Sequence, residues 1–236
     1  MQKTPPALTS MVEASRSVLS ALTADVRPLA FRWLSGLLAD APEPETLTEF
    51  AAPVGQTLLN AVAAEPALSP LAEAVRQIAA DPEERHTRAM DLAAAYGRLF
   101  LGAAGPASPA PYESFYTSER GTLFQAPAGA MADLLRELDQ SVVADMKEPP
   151  DHVAIQLSVM AELAERFVQA GTDGAAATAL RQRQIEFLDG HLLNWLPSYA
   201  EHCANIDADS FYAMALEAAV AFLRRDRAWL AANTPE

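Results

Sequence analysis

The sequence predicts an all-α fold, on three observations. Apolar residues recur at intervals of three and four along nearly every segment, and no stretch shows a convincing alternating strand pattern. Alanine is abundant while glycine numbers only 10. The prolines cluster between periodic segments, where they break helices or open their first turns. With 236 residues, half of them hydrophobic, the chain is long enough for one large core without a disulfide or metal. We read it as one domain over residues 1–236, with about eight or nine helices around that core.

The first expected helix covers about 25–40 and places Val26, Ala30, Trp33, Leu34 and Leu37 on one face. A second runs from about 45 to 64, after Pro42 and Pro44, and a third over 68–80. The fourth begins near Pro82, carries Met90, Ala94, Gly97 and Leu101 on one stripe, and stops at Gly102. Residues 102–112 read as a Gly/Pro/Ser loop, followed by a short helix over 113–120 and a longer one over 127–145.

The run EPPDH, residues 148–152, suits a first helical turn, in which Asp151 favours the helix N-terminus. From there Val153, Leu157, Met160, Ala164 and Phe167 form a sustained amphipathic face. A turn at 171–174 leads to a helix of about 176–203, with Ile185, Leu188, Leu192, Trp195 and Tyr199 in one row. Pro197 should kink that helix or start a new one. The last helix, about 208–231, is apolar on most sides and reads as buried. A weak internal boundary near 140–150, at the two prolines, is the expected hinge for a domain-swapped homodimer in exchange with the monomer.

Charge and motifs exclude several functions. The net charge is −14, from 31 acidic and 17 basic residues. Such a field repels a phosphate backbone and attracts a basic peptide, so nucleic acid is not expected as a partner. Neither a secretory signal nor an apolar run of membrane-spanning length stands out, and Cys203 is the sole cysteine. These features together suggest a soluble cytoplasmic protein. Phosphate loops, nucleophile elbows, CxxC and HExxH are absent, so neither a cofactor, a metal nor a catalytic residue is expected. Glu83 and His86 form a single Glu-x-x-His, whereas a di-iron bundle requires two. His191 and His202 on one helix would lie roughly 16 Å apart, too far for a shared metal, and read as surface or packing residues. Arg224 and Arg225 stand near a helix C-terminus, where they suit the dipole or a pairing with Glu217 or Asp226.

Two segments carry a resemblance. They are YGRLFLGAAGPASPAPYESFY, residues 96–116, and EPPDHVAIQLSVMAEL, residues 148–163. Together they resemble the TorD/DmsD/NarJ family of redox-enzyme maturation chaperones. LNWLPSYAEHC (193–203) and SFYAMALEAA (210–219) look most like the TorD branch. Some members carry Trp where this chain has Tyr96, Tyr112 and Tyr116, and the DmsD branch has a Gly near Gln125.

The resemblance implies a non-catalytic, all-α chaperone. Its partners would be the twin-arginine signal peptide and the apoprotein of a molybdopterin-guanine-dinucleotide reductase, in the TorD branch trimethylamine N-oxide reductase. The chaperone would hold the client until its cofactor is inserted, and so prevent premature export. The alternative is an assembly chaperone of the NarJ/DmsD type for another molybdoreductase. A nucleotide hydrolase and a structural subunit of a membrane reductase are rival classes; no phosphate-binding loop supports the first.

The peptide-binding residues implied are Tyr96, Leu99, Phe100, Tyr112, Glu113, Ser114, Tyr116, Glu148, Pro149, Asp151 and His152. Leu99 and Phe100 read equally as core or as a groove wall. Tyr112 and Tyr116, beside a Pro-rich loop, suit the amphipathic wall of a peptide groove. Glu113 reads as a helix cap or as a partner for a peptide arginine. Helix initiation accounts for Asp151 but not for His152, since a helix N-terminus disfavours imidazolium; a neutral ring there both donates and accepts.

Overall fold

The computed structural model describes residues 26–232, apart from 106, 120, 139–147 and 172–173. Among the described residues there are eleven α-helices and no strand. They are α1 (Val26–Ala39), α2 (Pro44–Ala51), α3 (Pro53–Ala63), α4 (Ser69–Ala80), α5 (Arg85–Phe100), α6 (Glu113–Thr117), α7 (Ala126–Glu137), α8 (Val153–Ala170), α9 (Ala175–Phe187), α10 (Leu196–Ile206) and α11 (Phe211–Ala232). A π-helical turn, Leu188–Leu192, joins the end of α9 to the approach to α10. No described helix is long and apolar enough to cross a membrane.

The all-α expectation holds, but the number of helices exceeds the expected eight or nine, for local reasons. The segment expected as one helix over 45–64 is two. Pro53 lacks an N–H and opens α3, while Ala52 before it is extended at φ −71°, ψ 160°. Gly55 then lets α3 fold back against the end of α2: a Cβ there would stand 2.2 Å from the Glu49 carbonyl oxygen. The segment expected over 176–203 is also divided. The Leu193 N–H reaches back five residues to the Leu188 carbonyl at 2.8 Å, and Pro197 sits in the first turn of a new helix.

Other expectations shift in register. Met90 and Leu101, placed on the apolar stripe of α5, are 60% and 68% exposed. The buried row is the adjacent one, Ala89, Leu92, Tyr96 and Leu99, because it covers far more apolar surface than a row containing Ala94 and Gly97. Of the helix expected over 127–145, the part to Glu137 is present. Residues 139–145 lie outside the described residues, as does most of the boundary expected near 140–150.

The core is one continuous apolar cluster running from α1 to α11. Helix α1 packs along α8, α9 packs on the same helix, and α11 crosses α1, α4, α5 and α9. Within this core lies an ion pair. Arg27 and Asp226 are both wholly buried, with Nε 2.5 Å from Oδ1 and Nη2 3.0 Å from Oδ2. Arg27 Nη2 also donates to Gln184 Oε1 at 2.5 Å, and the guanidinium lies 4.8 Å from the Trp229 ring centroid. Arg225, expected beside Glu217 or Asp226, instead donates to the buried Glu65 at 2.5 Å. Asp226 is already engaged, one residue on and facing inward. These pairs pin the C-terminal helix to the start of α1 and to the α3–α4 junction.

Removing one member of such a pair strands a buried charge. Asp226→Ala is expected to lower the unfolding free energy by about 3–5 kcal/mol, and Arg27→Met/Asp226→Leu to recover most of it, in urea titrations. Gly55→Ala places a methyl group inside backbone contact distance and is expected to cost about 1–3 kcal/mol in the same assay.

Candidate functional site

The loop before α6 and the turn before α8 meet as a short antiparallel bridge between Tyr112 and His152. The Val153 N–H donates to the Pro111 carbonyl at 2.9 Å, and the Glu113 N–H to the Asp151 carbonyl at 3.1 Å. The residues between these bonds form a non-hydrogen-bonded pair, where side chains approach most closely. The Tyr112 and His152 rings accordingly lie 5.3 Å apart, edge to face.

Asp151 does not cap its own helix. That part belongs to His152, whose Nδ1 accepts from the Ala154 N–H at 3.2 Å. Helix α8 therefore begins at Val153, not near Pro149, and both prolines precede it. Asp151 reaches across the bridge instead. Its Oδ2 accepts from the Ser114 N–H at 2.8 Å and from the Ser114 hydroxyl, capping α6 from another part of the chain. An Nδ1 that accepts requires a neutral ring. Burial pushes the His152 pKa from 6.5 down to about 4, against the smaller opposing effects of Glu148 and Asp151.

Glu113, in the first turn of α6, points inward and is 3% exposed. Its Oε2 accepts from Gln156 Nε2 at 2.6 Å and from His191 Nδ1 at 3.0 Å, and its Oε1 from Asn194 Nδ2 at 3.1 Å. Gln156 Oε1 in turn accepts from Trp195 Nε1 at 3.0 Å. The π turn places His191 one residue out of α-helical phase, so that it and Asn194 converge on this carboxylate.

Aromatic rings extend from this seam into the core. Tyr116 stacks on Trp195 with centroids 5.7 Å apart and lies 5.8 Å from Tyr199. Phe100 meets Tyr199 and Tyr212 edge-on and stacks on Tyr96 at 4.4 Å. The Tyr116 hydroxyl lies 3.1 Å from His202 Nδ1, and His202 Nε2 lies 3.0 Å from the Ala107 carbonyl, tying the Pro-rich loop to α10. Burial raises the phenol pKa of Tyr96, Tyr112 and Tyr116 well above 10. It also raises the Cys203 thiol to about 12, which makes that cysteine a poor nucleophile. No group of His, Cys, Asp and Glu among the described residues could hold a metal ion.

The sequence-derived site residues thus occupy three layers. Tyr112 and Tyr116 are half-buried and Glu148 is exposed, and the Tyr112 hydroxyl donates to the Glu148 carboxylate. Glu113, Ser114, Pro149, Asp151 and His152 form a buried seam beneath them. Tyr96, Leu99 and Phe100 are at most 5% exposed; of the two readings open for Leu99 and Phe100, the packing is that of core. The Tyr96 hydroxyl donates to the Ala39 carbonyl at 2.8 Å, at the C-terminal end of α1. Sequence reasoning did not single out Gln156, Asn194 or Trp195 for the site, and set His191 and His202 apart as surface or packing residues. One signal was present: Gln156 is a polar residue on the otherwise apolar face of α8.

Comparison with known proteins adds a family. The model described as "Nitrate reductase delta subunit" matches residues 59–201. "Chaperone protein TorD" of Photobacterium profundum is 34% identical over 201 residues, covering 84% of this chain and 91% of the relative. The protein of that name from Vibrio cholerae serotype O1 is 34% identical over 199 residues, covering 83% and 87%. That of Aliivibrio fischeri is 30% identical over 199 residues, covering 84% and 92%.

The His152 cap carries a pH dependence. Because its folded pKa lies below the unfolded value, the unfolded chain takes up the proton first as pH falls. Its stabilising effect is complete above about 6.5 and is lost as pH drops toward about 4. Unfolding free energies measured by urea titration should fall through this window with a contribution of up to about 1.4 kcal/mol per pH unit. His152→Asn keeps a capping acceptor without the titration, so its slope in the same window should be shallower than that of wild type.

Proposed function

The chain belongs to the TorD/NarJ family of chaperones, a non-catalytic family, and we propose that it is a cytoplasmic, system-specific chaperone for the maturation of a molybdoenzyme. In this reading it binds the twin-arginine signal peptide and the apoprotein of a molybdopterin-guanine-dinucleotide reductase resembling trimethylamine N-oxide reductase. It holds that client until the cofactor is inserted and so delays export. The observation that carries the reading is the similarity to proteins named chaperone TorD over 84% of this chain. A second reading, an assembly chaperone of the NarJ or DmsD kind for another molybdoreductase, is favoured by the family description naming a nitrate reductase subunit.

The binding surface we propose is the outer edge of the site. Tyr112 and Tyr116 offer half-buried aromatic faces, and Glu148 places an exposed carboxylate beside them for a guanidinium. Glu113, Ser114, Pro149, Asp151 and His152 hold that edge in position, and Tyr96, Leu99 and Phe100 support it from within. The EPPDH turn as a hinge, with a swapped homodimer in exchange with the monomer, remains part of the proposal. A change in the monomer–dimer balance of Pro149→Ala/Pro150→Ala protein, measured by light scattering after equal incubation, would support it.

A fluorescent twin-arginine signal peptide titrated into the protein should bind saturably. Tyr112→Ala or Tyr116→Ala should weaken it by about 2 kcal/mol, the typical cost of truncating a central aromatic anchor. Glu148→Lys should act chiefly on the association rate and only at low salt. Unchanged affinity in all three folded variants would remove this edge as the peptide site. A complex formed with the mature, cofactor-loaded enzyme rather than the apoprotein would favour a structural subunit over a chaperone.

A further inference from the structure

Helices α1, α2 and α3 enclose an open groove. Its first part, about 410 Å³, lies between Trp33, Gly36 and Leu37 of α1 and Phe50 and Leu58 opposite. It continues past Phe50 and Leu58 into a hollow of about 300 Å³ bounded by Val54 and Gly55. Val54, at the elbow that Pro53 creates, stands 83% exposed. A continuous apolar groove of this kind, open to solvent and rimmed by polar groups, is the form that takes a helix face.

Two features of the groove are not required by helix packing. Gly36 lies within α1, where glycine weakens a helix relative to alanine, yet a Cβ there would meet nothing within 4 Å. Packing does not require the glycine; its effect is to leave the groove open from the α1 side. Asp40 follows directly on the C-terminal end of α1, which has no basic residue in its last turn, and one of its oxygens accepts from the Ala41 N–H at 2.8 Å. An acidic side chain there opposes the helix dipole. Local rules of this sort are broken mainly where a site needs them broken.

The charge on the rim is one-sided. Asp40, Glu43 and Glu49 border the two parts of the groove, and none of them has an ion-pair partner among the described residues. Among the described lining residues the one basic side chain is Arg32, and it is paired with Glu165 of α8. We propose that this groove is a docking site for an amphipathic helical segment of a partner polypeptide, its apolar face in the groove and arginine or lysine on the flanks. The charge complementarity selects such a partner over an acidic one. The site is separate from the Tyr112 edge and does not depend on what binds there.

The test uses a synthetic helical peptide of about 15 residues, roughly four turns, with leucines on one face and arginines on the flanks, followed by fluorescence anisotropy with the full chain. Saturable binding is expected, weakening as salt is raised. Gly36→Phe fills the groove from its open side and Val54→Asp charges its elbow, both without touching the core. Each should weaken binding about tenfold or more while circular dichroism and thermal unfolding stay those of wild type. Glu43→Lys/Glu49→Lys should do the same at low salt, and the peptide with glutamates in place of its arginines should not bind. Tyr112→Ala should leave this affinity unchanged even where it abolishes signal-peptide binding. The inference is overturned if wild type shows no saturable binding, if Gly36→Phe and Val54→Asp bind as wild type, or if Tyr112→Ala removes the binding. A wild-type dimer in light scattering that dissociates on Val54→Asp would also overturn it, since the groove would then be covered by a second copy of the chain.

Discussion

The site depends on where the Asp151 carboxylate goes. A residue one position before a helix cap could serve its own helix; here it leaves that helix to His152 and caps another, 37 residues away in sequence. One side chain thereby fixes the start of α6 relative to the start of α8. Everything on the outer edge follows from that junction. The Tyr112–His152 bridge sets Tyr112 beside Glu148, and the orientation of α6 brings Tyr116 over Trp195 and turns Glu113 inward. A buried carboxylate is tolerable only when its hydrogen bonds are made. Both oxygens of Glu113 find donors and Asp151 finds them at Oδ2, its Oδ1 being buried without one, so the loop arrangement that supplies these bonds is selected over its alternatives.

The fold class was legible because helical periodicity records burial, and burial is set over many residues at once. Boundaries were less legible because single backbone atoms decide them. Pro53 was visible in the sequence, but that α3 turns back there rather than bending depends on Gly55 meeting the Glu49 carbonyl, a contact with no periodicity. The phase of α5 was misplaced for a related reason: two adjacent rows both read as apolar, and only the volume of Tyr96 and Leu99 separates them. The charged residues of the core left a usable trace. Arg27 falls in the same row as Phe31 and Leu34, and Asp226 in the row of Phe222 and Leu230, so a charge on each apolar face called for a partner.

The site was legible to a lesser degree. The two motif segments do come together, although 36 residues separate Tyr112 from Glu148. What spacing could not supply was depth. Tyr96, Leu99 and Phe100 lie three and four residues apart on the inner face of α5, and the same spacing would serve a core or a groove equally. Nor could it reveal that a π turn would rotate His191 toward Glu113, since one extra residue in a helical turn leaves no compositional mark. Polar residues on apolar faces, such as Gln156, were the recoverable signal. Gln156 holds both a carboxylate and an indole rather than facing solvent.

Depth also sorts the carboxylates by what each can do. Glu113 has both oxygens occupied by Gln156, His191 and Asn194, so an arginine arriving from outside would have to displace existing donors and enter a dry site. Asp151 likewise spends one oxygen on Ser114 and is sealed from water. These two acids are structural in their present bonding. Glu148, Asp40 and Glu43 are exposed and have no basic partner among the described residues. A cation meeting them keeps part of its hydration and can use the oxygen left free beside the Tyr112 hydroxyl on Glu148 or the Ala41 N–H on Asp40, so the attraction is not offset by a desolvation cost of the same size. The acids are therefore divided: the buried Glu113 and Asp151 position the aromatic edge, the buried Glu65 and Asp226 hold the C-terminal helix, and the unpaired exposed ones are able to meet a basic partner.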